Sequence, residues 1–193
     1  MPEPGNVEDI IEKAWHRLPS AHRLLLETIG ASQRCVASQP IGAEVDSMRI
    51  SAGLPSLAQE AKTRLNEAYG AWVEELRLVV ISGSHPNLLG LSDVATERFI
   101  ARVAWHEWGH ALSIARCSQE DMFAGRDLLS KCPIGIREDI RAGDYRPHSY
   151  THEVVAEIYA LMMERLIRGD TGRPGWLDQE IYDFLQRLTG WEE

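Results

Sequence analysis

Val103-Ala104-Trp105-His106-Glu107-Trp108-Gly109-His110-Ala111-Leu112 carries two histidines four positions apart, with a glutamate directly after the first. On an α-helix that spacing puts both imidazoles on one face, where they can turn to a common point. Two imidazole nitrogens at about 2.0–2.1 Å make half of a tetrahedral zinc site. Glu107 starts on the neighbouring flank, within reach of water at the ion without being a ligand. Such a site needs one more protein ligand and one open position. The flanking residues predict a helix over 92–116, with Phe99, Val103, His106, His110 and Ile114 recurring as an inward stripe. Imidazoles buried there without partners would be costly, and metal ligation removes that cost. Gly109, a poor helix former, leaves room for backbone or substrate to come close.

The third ligand must come from elsewhere in the chain. Downstream of the metal helix the candidates include His148, His152, Glu153 and Glu157. A helix is predicted from about Tyr150, with Ser149 or Thr151 as cap and Gly169 as stop. Glu153 and Glu157 lie one turn apart on it, beside the small Ala156 and Ala160. Two carboxylates facing an apolar core need cations to meet. A metal for one and the free N–H of a ligating histidine for the other would satisfy both, and such links fix the imidazole tautomer.

The pair of segments His106-Glu107-Trp108-Gly109-His110-Ala111 and Glu153-Val154-Val155-Ala156-Glu157, the second beginning 43 positions after His110, resembles the gluzincin metallopeptidases. Within them it is most similar to the catalytic domain of the anthrax lethal factor type. The resemblance covers roughly residues 76–165 and implies a zincin-like fold with one zinc ion. It implies His106, His110 and Glu153 as ligands, Glu107 as general base and Glu157 as outer partner of a ligand histidine. A tyrosine ahead of the glutamate helix would donate to the developing oxyanion. Tyr150 is the nearest match at a shorter spacing than the family's, with His148 and Tyr145 as alternates. The expected reaction is hydrolysis of a peptide bond. Two other readings stand beside it: a zinc-binding regulatory or interaction module without proteolysis, and a repressor-cleaving regulatory metallopeptidase.

Outward from this core, residues 7–31 read as helix in two pieces broken at Pro19, with Ser20 capping the second and His16 and His22 as surface or packing residues. Segments 34–37 and 45–50 read as short strands around Pro40 and Gly42, and 55–72 as a helix. Leu76-Arg77-Leu78-Val79-Val80-Ile81 is the clearest strand. It serves either as an edge that receives an extended peptide or as a buried sheet strand. His85 follows in a loop. Between 118 and 148 a short helix around Met122, Leu128 and Leu129 is followed by irregular chain, and a last helix follows Pro174 with Leu177, Ile181, Phe184, Leu185 and Leu188 inward. The fold class is therefore α+β, mostly helical, with a small mixed sheet beside the metal helix. One domain is expected over 1–193, with 1–72 mainly helical and 73–193 holding the zinc-site core.

The net charge of −9 argues against nucleic acid or anionic membrane as partner and leaves a peptide or protein substrate. Cys35, Cys117 and Cys132 form no C-x-x-C pair and read as reduced thiols. With no signal peptide at Met1-Pro2-Glu3-Pro4, a cytoplasmic location is expected, delivery elsewhere by a partner aside.

Overall fold

The computed structural model describes residues 4–190 apart from 39, 84, 86, 87, 89, 144 and 146, together with all side chains in that range but those of Pro4, Gly5 and His148. The fold is α+β and mostly helical, with one three-stranded mixed sheet. The helices among the described residues are α1 (Pro4–His16), α2 (Ser20–Thr28), α3 (Ile41–Ser51), α4 (Gln59–Asn66), α5 (Asp93–Arg116), α6 (Gln119–Phe123), α7 (Gly125–Lys131), α8 (Ile134–Ala142), α9 (Tyr150–Ile167) and α10 (Gln179–Thr189). The strands are β1 (Gln33–Ala37), β2 (Gly70–Val73) and β3 (Leu78–Ser82). None of the described helices is long and apolar enough to cross a membrane.

The longest helix, α5, is also the best specified. Ser92 caps it by accepting from the Ala95 N–H, and its buried face runs through Ile100, Ala101, Ala104, Trp105, Trp108, Ala111 and Leu112. That face lies against α9, whose Val154, Val155, Ala156, Ile158, Tyr159, Met162 and Met163 are all buried. The two helices approach closely because Gly109 has no side chain: a Cβ there would stand 2.7 Å from the Cα of Ala156. The room predicted at Gly109 is thus taken by the backbone of α9. The predicted stripe of Phe99, Val103, His106, His110 and Ile114 is not the inward one. All five are half-buried, and Phe99, Val103 and His106 line a cleft, because the core face of α5 has turned toward α9.

Two elements depart from expectation. Residues 45–50 are part of α3 rather than a strand, and its inward face includes Ile41, Gly42 and Val45 with the polar Asp46 and Arg49. Those polar groups have fixed partners: Asp46 accepts from Ser56 and from the Leu57 N–H, and Arg49 donates to the Pro55 carbonyl and to Glu75. The predicted helix 55–72 is only α4, which gives way to β2. Its last residues pair antiparallel with β3 (Gly70↔Ile81, Trp72↔Val79), while β1 pairs parallel on β3's other side (Cys35↔Val80). β3 is therefore the central, buried strand, and the edge next to α5 is β2. The break at Pro19 is present, but Ser20 is the first residue of α2 and makes no cap bond. At α9, Ser149 holds the cap position without a side-chain bond, and Thr151 donates to the Asp121 carbonyl of α6. The segment 118–142 is more helical than expected, folding as α6, α7 and α8.

Candidate metal centre

The site forms where α5, α9 and β2 meet. The Nε2 atoms of His106 and His110 stand 3.0 Å apart. From α9, Glu153 brings Oε2 to 3.7 Å from His110 Nε2 and 3.9 Å from His106 Nε2. Donors on a tetrahedral ion with bonds near 2.0–2.1 Å lie about 3.3 Å apart, so this triangle brackets the size an ion requires. With ligand atoms within 4.8 Å of one another, these three side chains are the group among the described residues that could hold a metal ion. Two neutral imidazoles and one carboxylate are the donor chemistry that zinc accepts.

Each group is held from behind. Glu157, one turn after Glu153, puts Oε1 3.3 Å from His106 Nδ1, and its Oε2 accepts from Arg102 at 3.2 Å. Glu107 is buried, and its Oε2 accepts the Trp72 backbone N–H at 2.8 Å. That bond depends on Gly70, because a Cβ there would come within 2.7 Å of Val103 and 2.9 Å of the Glu107 Cγ. A side chain at position 70 would push β2 away from α5. His152 points elsewhere, its Nδ1 2.7 Å from the Ser113 hydroxyl. The side chain of His148 lies outside the described residues.

Burial pushes the Glu153 carboxyl up to about 7, with His106 opposing the rise and the neighbouring glutamates adding to it. Burial also raises Glu107, against the pull of His106 and the Trp72 N–H. At His106 burial disfavours the charge, but the hydrogen bond to Glu157 and the charges of Glu107, Glu157 and Glu153 outweigh it and lift the imidazole to about 9. Burial and the neighbouring His106 hold His110 well below the ordinary histidine value. Without an ion, one histidine thus takes the positive charge that the three carboxylates demand. Such opposed shifts within one cluster are typical of sites built for charge.

Of the tyrosines, the structure brings Tyr145, not Tyr150, to the carboxylates. Tyr145 lines the cleft with His106, Glu107 and Glu157; burial and the charges of Glu153, Glu107 and Glu157 keep its phenol protonated. Tyr150 packs half-buried against the core near Gly125. Arg102 and the β2 edge were not singled out from the sequence. A salt-bridging arginine one turn ahead of a motif has no signature of its own, and β2 lay inside an apparent helical period. The cleft in front of the site measures about 430 Å³ and is walled by Tyr69, Phe99 and Val103 as well as the charged groups. His85, predicted in a loop, stacks near Tyr69 with ring centroids 4.0 Å apart.

The chain matches no protein-family model, no curated protein and no solved structure.

Proposed function

We propose that this protein is a zinc-dependent peptidase that hydrolyses a peptide bond at the His106–His110–Glu153 centre. The convergence of those three donors across two distant helices carries the reading, with Glu107 buried beside them and unused as a ligand. Zinc held there would polarise the scissile carbonyl and lower the pKa of attacking water toward about 7. Glu107 is the proton acceptor. Its carboxyl is raised by burial, as suits a group that must take a proton and return it to the leaving amine. Tyr145, protonated and at the cleft wall, would donate to the developing oxyanion. A peptide substrate is favoured by β2. In its antiparallel ladder the backbone groups of Gly70 and Trp72 turn to the outer edge, where the Trp72 N–H meets Glu107. An extended chain laid along that edge would pass the proton acceptor.

The test is metal analysis of the purified protein with cleavage of a quenched peptide library. About one zinc per chain is expected, with turnover abolished by a chelator and restored by zinc. Glu107→Gln should keep the metal and lose at least 10²-fold in turnover. Absence of metal, or an unchanged rate in Glu107→Gln, overturns the proposal. Full zinc occupancy with no cleavage of any peptide would favour a binding module instead.

A further inference from the structure

We infer that Arg102 is a positioning residue for the metal centre, acting through Glu157 to fix the ring of His106. This rests on the proposed zinc site and concerns how the chain builds it. Arg102 and His106 are four residues apart on α5 and so project from the same side of the helix. Glu157 reaches across from α9 and uses its two oxygens separately. One faces His106 Nδ1 at 3.3 Å and the other accepts from the Arg102 guanidinium at 3.2 Å. A carboxylate held at both oxygens cannot rotate about its last bond without breaking one contact. The imidazole it faces is therefore held in one orientation, with the proton on Nδ1 and Nε2 turned to His110 and Glu153.

Glu157 is only partly exposed, its side chain at 24%. Burial raises its carboxyl, and the hydrogen bond from His106 and the charge of Arg102 turn the balance so that it stays ionised. Removal of Arg102 leaves this anion with His106 alone and free to swing toward the cleft. The same guanidinium borders the cleft, so a purely substrate-binding role is the competing account.

Zinc affinity, measured by competition with a chromophoric chelator, separates the two. Arg102→Ala should weaken zinc binding by about 10-fold, the lower end of the range for outer partners of a ligand histidine. Arg102→Lys, which still offers a charged donor, should recover part of the loss. The unfolding midpoint of the metal-stripped protein should stay near wild type, because the arginine side chain is 41% exposed. In a Glu157→Gln background, Arg102→Ala should have little further effect on zinc affinity.

Wild-type zinc affinity in Arg102→Ala, with only KM altered, overturns the inference and leaves the zinc site standing. An equal loss with and without Glu157 overturns it too, since the arginine would then act by another route. A wild-type protein that takes up no zinc removes both this inference and the proposed function.

Discussion

His22 sits inside the helical layer at 1% exposure, its Nδ1 3.1 Å from the Tyr159 hydroxyl. Burial keeps the Tyr159 phenol protonated, and the two groups share a hydrogen bond whose direction follows the imidazole tautomer. The same burial lowers His22 from 6.5 to about 4. In the unfolded chain the ring protonates near 6.5, so the unfolded state binds the extra proton first as pH falls. Stability from this residue is whole above 6.5, drains between 6.5 and 4, and is fully lost below; the limit of the loss is about 3 kcal/mol. Denaturant unfolding of metal-stripped protein across this window should show a steeper acid loss in wild type than in His22→Gln. Equal slopes would mean that the ring is not closed off. At this scale the convergence of His106, His110 and Glu153 was legible because metal chemistry restricts the types and spacing of such residues. Tyr145 could be named only as an alternate, since it lies in a stretch of sequence with no period to read.

The packing of α5 on α9 is what carries Glu153 to the histidines. Gly109→Ala places a methyl against the Ala156 Cα, a backbone atom that cannot yield as a side-chain tip can. The helices must move apart, at a cost of roughly 1–3 kcal/mol. Thermal unfolding should register that loss, and zinc affinity should fall with it because the carboxylate recedes. Ala156→Gly in the same chain should not restore either, since the obstructing atom remains. The long helices α5 and α9 were readable from sequence by their apolar periods and caps. α3 was not: Val45–Ile50 is too short to show a clear period, and its inward Asp46 and Arg49 reveal themselves only through partners at Ser56, Leu57, Pro55 and Glu75. β2 was hidden for a related reason. Four residues are too few for a period, and Trp72 continued the spacing of the helix before it.

For the molecule as a whole, a bound ion would add a tie between two helices already joined by packing, by the Arg102–Glu157 ion pair and by the Ser113–His152 hydrogen bond. An ion that binds the folded chain alone adds about 2.7 kcal/mol at a free concentration 100 times its Kd. For a chain of this length that corresponds to roughly 5–10 °C in Tm. Differential scanning calorimetry with zinc at that excess and then with a chelator should show the difference, and a Glu153→Gln variant should not. The α+β class was visible in the sequence because β3 and the two long helices announce themselves, whereas the strand order β1-β3-β2 depended on the strand that did not. That order has a mechanical result. The peptide unit at Trp72 belongs at once to the rim of the sheet and to the tether on Glu107. Whatever strains the rim slackens that tether, so in the proposed peptidase substrate seating and readiness to accept a proton would rise and fall together.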